Sequence, residues 1–180
     1  DCLLTSSSHR VAMLKLALEQ EATFSIDPLE IKKGGVSYTI DTLSCLKQQH
    51  PDWELFLILG ADAFLLMDTW KSSADILKLC HILVGTRPGV KLEISMRLAH
   101  VLGIKTKQLK NNDFKLPVIL SNDTGKTIQL YQIPTQNISS RKIRDRVQAG
   151  KEIKNLLPPA VDHYIMRHQL YRTEPPPIMV

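Results

Sequence analysis

Two short apolar segments, each followed at once by a turn signal, constrain the fold of this 180-residue chain more than any other feature. Residues 55–59 read LFLIL before Gly60, and residues 82–84 read ILV before Gly85. Both segments are short for a helix, and neither alternates with polar residues. Such runs are typical of strands that are buried on both faces of a parallel sheet.

The other apolar residues recur at helical spacing around these strands, with caps and breakers that set the boundaries. Helices are predicted after Ser6–Ser8, from Thr39 or Asp41 to His50, from Ser72 to Leu79, over 93–103, from Ser139 or Ser140 to Gly150, and from Pro158. Extended chain is predicted over 24–31, and two strands between 118 and 133 around the turn 122–125. The alternation predicts an α/β fold with a mostly parallel sheet flanked by helices.

Composition narrows the class of protein. Hydrophobic residues make up 43% and charged residues 23%, the balance of one globular domain with a sizeable core. No apolar run approaches the ~20 residues that cross a bilayer, so no membrane partner is expected. The net charge of +5 is dispersed and aromatic residues are only 6%, which argues against nucleic acid and suits phosphorylated small molecules. The cysteines, Cys2, Cys45 and Cys80, lack metal-ligand spacing and suit a reducing, cytoplasmic compartment.

Ligands of such sheets bind at the carboxyl ends of the strands, so the loops after Leu59, Val84 and Ile133 are the expected place for chemistry. Gly60 and Asp62 follow the first strand directly. Glycine lets the backbone turn sharply and approach a ligand, and a carboxylate can accept hydrogen bonds from ribose hydroxyls. A plain strand-to-helix turn capped by Asp62 fits the same residues.

A polar segment, residues 37–42 (SYTIDT), begins the helix predicted after the Gly34–Gly35 turn. Hydroxyls and free amides at a helix start suit a small polar substituent on a ring. The indole of Trp70 can stack on a flat heteroaromatic ring. The alternative interpretation is helix capping for residues 37–42 and core packing for Trp70.

Two basic segments complete the candidate residues. Arg87 begins a Pro-Gly turn after the second strand, and arginine is a bidentate ligand for phosphate or carboxylate. Residues 138–144 (ISSRKIR) start a helix whose free N–H groups, with Ser139, Ser140 and Arg144, form a ready phosphate site. The alternative for Arg87 is a solvated arginine in a loop. The alternative for residues 138–144 is an amphipathic helix with a serine cap.

In their order along the chain, these segments resemble bacterial nicotinate-nucleotide adenylyltransferase, of the nucleotidylyltransferase superfamily with its Rossmann-like fold. The resemblance runs from about Ser8 to Arg172, and residues 34–43 (GGVSYTIDTL) are its most family-specific part. It implies one nucleotidylyltransferase domain over 1–172 and a disordered tail over 173–180.

The resemblance also implies a role for each candidate residue. The residues that would bind the nicotinate substrate are Tyr38, Thr39, Trp70 and Arg87. The residues that would line the nucleotide are Gly60, Asp62 and Ile138. The catalytic residues, which would meet the ATP phosphates, are Ser139, Ser140 and Arg144.

The implied reaction is attack of the 5′-phosphate of nicotinate mononucleotide on the α-phosphorus of ATP, with release of pyrophosphate. Because the attacking phosphate is already an anion, positioning and charge neutralisation suffice, with Mg²⁺ on the polyphosphate and no protein metal site. The reaction belongs to NAD biosynthesis.

Two departures from the family qualify these expectations. The family begins with Gly-x-Phe-Asp-Pro and His-x-Gly-His, and neither motif is present, so we expect an N-terminally incomplete domain that alone turns over poorly or not at all. Arg141 stands where threonine is usual. Another adenylyl- or cytidylyltransferase of the superfamily, and a non-catalytic pyridine-nucleotide-binding domain, stay open. So does a homo-oligomer, because loss of a central strand would expose a sheet edge.

Overall fold

The computed structural model describes residues 5–87, 92–105, 118–122, 124–134 and 138–172. Pro88, Gly89 and the tail predicted over 173–180 lie outside these ranges. The chain divides into two compact units, one formed by residues 33–135 and the other by residues 1–32 together with 136–180. Within the described ranges, no helix is long and apolar enough to cross a membrane.

The described helices and strands alternate through the middle of the chain. In chain order they are α1 (Ser7–Ala17), α2 (Leu29–Lys33), α3 (Thr39–Gln49), β1 (Leu55–Gly60), α4 (Ala61–Leu65), a 3₁₀ turn (Met67–Thr69), α5 (Ser73–Leu79), β2 (Cys80–Thr86), α6 (Met96–Val101), β3 (Val118–Ser121), β4 (Thr127–Gln132), α7 (Ser140–Gln148) and α8 (Pro159–Arg167).

The unit of residues 33–135 is built on a sheet whose described strands lie in the order β1-β2-β4-β3. β1 pairs with β2 in parallel, and β2 pairs with β4 in parallel. β3 and β4 form an antiparallel pair. The predicted mostly parallel sheet flanked by helices is therefore confirmed.

One face of this sheet carries the core of the unit. Ile82, Val84, Ile128 and Leu130 are at most 1% exposed. Fully buried side chains from the helices and the 3₁₀ turn pack in the same cluster, namely Phe64, Met67, Ile76, Leu77 and Leu98. Burial of each such side chain contributes about 1.5–3 kcal/mol, so this face fixes where α4, α5 and α6 lie on the sheet.

The other face of β1 is exposed, which corrects the prediction of a strand buried on both faces. Leu57 packs against the core cluster, whereas Phe56 is 46% and Ile58 is 76% exposed. Among the described residues, the buried apolar side chains of this unit form one cluster, against which Leu57 packs. An unbroken apolar run does not show which face a neighbouring element covers, and the described part of this unit covers the Leu57 face.

The second unit has its own core, formed by α7 and α8 with partly buried side chains of α1. Ile143 and Val147 on α7 and Val161 and Ile165 on α8 are each less than 9% exposed. Gly150 follows α7 at φ +66°, a left-handed conformation that favours glycine and ends the helix where the sequence predicts.

The structure of residues 24–33 differs from the prediction. Extended chain is predicted over 24–31, but α2 begins at Leu29. The N–H of Leu29 donates to the Asp27 carboxylate at 2.9 Å, and the N–H of Lys32 donates to the Pro28 carbonyl at 2.9 Å. Proline is tolerated at the first turn of a helix, so Pro28 starts a short helix here rather than interrupting a strand.

Candidate active site

The carboxyl ends of β1, β2 and β4 lie side by side at one edge of the sheet. Gly85 on β2 is aligned with Gly60 on β1 and with Tyr131 on β4. Loops that leave this edge hold the ligand in sheets of this class. Asp62 follows the end of β1 and Arg87 follows the end of β2, so both lie at the edge of the sheet where the sequence predicts them.

Gly60 has an ordinary backbone conformation and leaves open space beside it. Its φ of −74° and ψ of 156° are open to any residue, so the sharp turn that glycine permits is not used here. A Cβ added to Gly60 would meet no heavy atom within 4 Å. Asp62 lies exposed in the first turn of α4, and its carboxylate has no hydrogen-bond or ion-pair partner among the described residues. That carboxylate is therefore available to a ligand, as a ribose contact requires.

The start of α3 presents backbone amides that no side chain caps. Tyr38, rather than Thr39 or Asp41, is the N-cap, in an extended conformation and without a side-chain cap bond. Its carbonyl accepts the N–H groups of Asp41 at 3.0 Å and Thr42 at 3.2 Å. The N–H groups of Thr39 and Ile40 precede these bonds and have no partner in the part of the chain that is described. They can donate hydrogen bonds to a ligand's oxygen atoms.

A cluster of charges holds this helix start against a segment 30 residues further along the chain. Lys33 Nζ lies 2.8 Å from Asp41 Oδ2, and Lys71 Nζ lies 3.1 Å from Asp41 Oδ1. The Lys71 ammonium also lies 4.4 Å from the centroid of the Tyr38 ring, a cation–π contact. The hydrogen bonds from Lys33 and then Lys71 hold the pKa of Asp41 below its usual value.

Sequence reasoning missed this cluster. The available signal was that Lys33 directly precedes the Gly34–Gly35 turn and that Lys71 directly follows Trp70, so each predicted ring-binding segment has an adjacent lysine. Nothing local in the sequence, however, joins residue 41 to residue 71.

Trp70 is partly buried, at the end of the 3₁₀ turn. The backbone N–H of Trp70 donates to the carbonyl of Met67 at 3.0 Å. The indole packs partly against the core cluster. Core packing thus accounts for part of its role, but the side chain is not sealed inside. Because Lys71 contacts Tyr38, the structure brings the Trp70 segment and the start of α3 together.

Arg87 extends from the carboxyl end of β2. It is exposed and has no hydrogen-bond or ion-pair partner among the described residues. The residue before it, Thr86, accepts the N–H of Ile133 at 2.9 Å through its carbonyl, which fixes the point where the loop begins. A guanidinium free of protein partners remains able to bind phosphate or carboxylate.

The four remaining candidates lie in the other unit, at the start of α7. Ser139 is the N-cap, and its hydroxyl oxygen accepts the N–H of Lys142 at 3.2 Å. The serine-cap interpretation is therefore correct for Ser139, although its O–H can still donate to a ligand. Ser140 is exposed in the first turn, and Ile138 packs partly against the core of this unit.

Arg144, one turn further along α7, lines a cavity of about 420 Å³ within the same unit. Arg10 and Ser140 supply the other polar side chains of a wall that is otherwise mostly apolar. The Nε of Arg144 is buried and has no hydrogen-bond partner among the described residues. A buried unpaired donor costs about 1–3 kcal/mol, which an anion bound here would offset. Arg10 had no predicted role, although it lies beside the helix start at Ser6–Ser8.

The candidate residues are divided between the two compact units. In the unit of residues 33–135, Lys71 joins the segments that carry Tyr38 and Trp70, and in the other unit Ser140 and Arg144 line one cavity beside the N-cap Ser139. Across the described ranges, no group of three or more His, Cys, Asp or Glu side chains could hold a metal ion.

The model of the cytidylyltransferase-like family matches residues 3–146. A probable nicotinate-nucleotide adenylyltransferase from Synechococcus sp. (strain JA-3-3Ab) is 34% identical over 166 residues, which cover 92% of this chain and 70% of that protein. Its counterpart from Desulfitobacterium hafniense (strain Y51) is 37% identical over 94% of this chain and 73% of its own length.

A third relative with the same description, from Geobacter sp. (strain M21), is 38% identical over 92% of this chain and 75% of its own length. Among solved structures, nicotinic acid mononucleotide adenylyltransferase of Plasmodium falciparum complexed with APC is similar, with a TM-score of 0.63 and 19% identity. The match covers 94% of this chain and 78% of that one. At this identity the structural likeness shows the fold, which is that of a nucleotidyltransferase.

Proposed function

This chain belongs to the nicotinate-nucleotide adenylyltransferases of the cytidylyltransferase-like family, and we infer that it transfers the adenylyl group of ATP to nicotinate mononucleotide. The products are nicotinate adenine dinucleotide and pyrophosphate. The reaction is a step of NAD biosynthesis.

The observation that carries this proposal is the contact of Lys71, the residue after Trp70, with Tyr38 at the start of α3. The two segments that meet there carry a partly buried indole and two backbone amides that have no partner among the described residues. An indole face suits a pyridine ring, and free amides at a helix start suit a carboxylate on that ring. Nicotinate combines these two groups, so the geometry fits the acceptor substrate.

The chemistry needs positioning and charge neutralisation. An oxygen of the acceptor's 5′-phosphate forms a bond to the α-phosphorus of ATP, and the bond from that phosphorus to the bridging oxygen of the β-phosphate breaks. Pyrophosphate carries away the electron pair, and no proton must be abstracted from the attacking anion. We assign Ser139, Ser140 and Arg144 to the ATP phosphates, because the Arg144 guanidinium has an unpaired buried donor.

The remaining assignments follow from the strand ends. Gly60 and Asp62 would line the ribose and adenosine region, with Ile138 beside the nucleotide, and Arg87 would lie near the acceptor. The divalent ion, proposed to be Mg²⁺, would be held by the polyphosphate of ATP itself. The free thiols of Cys45 and Cys80 support a reducing compartment, the cytoplasm.

A pyrophosphate-release assay with purified protein tests the proposal. Nicotinate mononucleotide, nicotinamide mononucleotide and pantetheine phosphate are compared as acceptors, each with ATP and with CTP. Turnover with nicotinate mononucleotide and ATP above all other pairs is expected. Preference for another acceptor or for CTP would identify a different nucleotidyltransferase. Calorimetric binding of the mononucleotide without turnover would instead indicate a binding domain.

A further inference from the structure

The charge cluster at the start of α3 contains more positive than negative charge. Two ammonium groups, those of Lys33 and Lys71, share the single carboxylate of Asp41. Asp41 stays ionised at neutral pH, since its neighbours lower its pKa. Among the described residues, this cluster therefore keeps one positive charge beyond that of the Asp41 carboxylate, at the helix start where the amides of Thr39 and Ile40 have no described partner.

Lys71 is the member of this cluster that lies between the two ring-binding elements. It follows Trp70 in sequence, and its ammonium lies 4.4 Å from the centroid of the Tyr38 ring. Its side chain is 48% exposed, so a ligand can approach it from solvent. Because the Asp41 carboxylate and the Tyr38 ring hold it in place, little rotamer entropy remains to be lost when a ligand arrives.

We propose that Lys71 is a specificity-determining residue, which makes the site at the start of α3 prefer an acceptor with a carboxylate on its ring over the corresponding carboxamide. The inference rests on the proposed function and extends it from the reaction to the residue that selects the substrate. A ring carboxylate is attracted by the uncompensated charge, whereas a neutral carboxamide is not. The backbone amides alone discriminate less, because they can bind the oxygen of either group.

Lys71 also acts as a positioning residue through Tyr38 and Asp41. Loss of its side chain would release one of the contacts that join the Trp70 segment to α3. A purely structural defect of this kind would weaken acid and amide acceptors together. The ratio between the two acceptors therefore reports the charge, and their common change reports the positioning.

The test compares kcat/KM for nicotinate and nicotinamide mononucleotides in the wild type and in Lys71→Gln, Lys71→Arg and Lys78→Gln. Lys78 is the matched control, since it forms an exposed ion pair with Asp75 at 2.7 Å on the neighbouring helix. We expect Lys71→Gln to reduce the acid-to-amide ratio about fivefold, the scale of a half-exposed charge pair. Lys71→Arg should restore most of the ratio, and Lys78→Gln should leave it unchanged.

The outcomes separate this inference from the proposed function. If the wild type does not adenylylate nicotinate mononucleotide, the proposed function fails. If it does, and Lys71→Gln lowers kcat/KM for both acceptors by the same factor, Lys71 is structural only and the inference is overturned. Thermal melting of each variant shows whether it folds. If Lys71→Gln does not fold, Lys71→Met and Lys33→Gln are measured instead. An unchanged acid-to-amide ratio of kcat/KM in these two variants would overturn the inference.

Discussion

The hydroxyl of Thr86 donates a 3.0 Å hydrogen bond to the backbone carbonyl of Tyr131, across the end of β2 and β4. Thr86 is 1% exposed, so this is a polar contact inside the core. It lies one residue before Arg87, at the edge of the sheet where the candidate loops begin. The position of Arg87 therefore depends on a buried hydrogen bond as well as on the ladder of the sheet.

Substitution Thr86→Val tests that contact, because valine keeps the shape and removes the donor. Loss of one partner of a buried hydrogen bond should lower the free energy of unfolding by about 1–3 kcal/mol. Urea denaturation of the wild type, Thr86→Val and Thr86→Ser measures the effect. Serine, which keeps the hydroxyl, should lose less than valine; the reverse order would show that the methyl group, and not the hydroxyl, matters here.

Substitution Trp70→Ala should raise KM for nicotinate mononucleotide about tenfold or more, because stacking of an aromatic side chain on a base contributes on the order of 1–3 kcal/mol. KM for ATP should change little. Trp53→Ala is the matched control, since Trp53 is 53% exposed and stacks on His50 at a ring separation of 3.7 Å. Equal effects of the two substitutions on the mononucleotide would contradict the stacking role of Trp70.

Substitution Arg144→Gln should separate stability from activity. The Nε of Arg144 is buried and has no hydrogen-bond partner in the described part of the chain, so its removal should leave the melting temperature unchanged or raise it. Activity should fall at least about tenfold in kcat/KM for ATP, as expected when a donor to the transferring phosphate is lost.

Arg146, two residues along the same helix, is the control for Arg144. Its Nε and Nη2 donate to the carbonyl of Glu152 at 2.9 and 2.7 Å. Arg146→Gln should therefore lower stability by about 1 kcal/mol while activity stays the same. A stability loss in Arg144→Gln with full activity would show that Arg144 is structural.

Burial raises the pKa of the Cys80 thiol to about 11, which predicts a change of stability at alkaline pH. Below about pH 9 the thiol is protonated in both the folded and the unfolded chain, so it has no effect. Between about pH 9 and 11 only the unfolded chain releases the proton, so stability should fall by ~1.4 kcal/mol per pH unit. Denaturation of the wild type and Cys80→Ala from pH 8 to 11 measures this: the wild type should lose more stability than Cys80→Ala, and parallel curves would contradict the prediction. Cys45→Ala serves as control, because the free thiol of Cys45 is only partly buried in the wild type.

Much of the fold could be predicted from the sequence, because its signals are local. The apolar run at 55–59 and Gly60 define β1, and Ser139 with Gly150 bounds α7, each within a few neighbouring residues. The family could be recognised for the same reason, since the stretch at 34–43 and the strand-end residues keep their order. Local signals failed at Pro28, where two hydrogen bonds decide between strand and helix.

Only the tertiary structure decided which surfaces and charges meet. Apolar periodicity gave no sign that Ile58 is exposed while Leu57 faces the core, because coverage depends on elements elsewhere in the chain. Nor did it join Asp41 to Lys71, since a contact across 30 residues depends on how α3 packs beside α5, which begins just after Lys71. Capping, turns and periodicity act between near neighbours and are written in the sequence. Burial and long-range ion pairs depend on the packed arrangement of the whole unit.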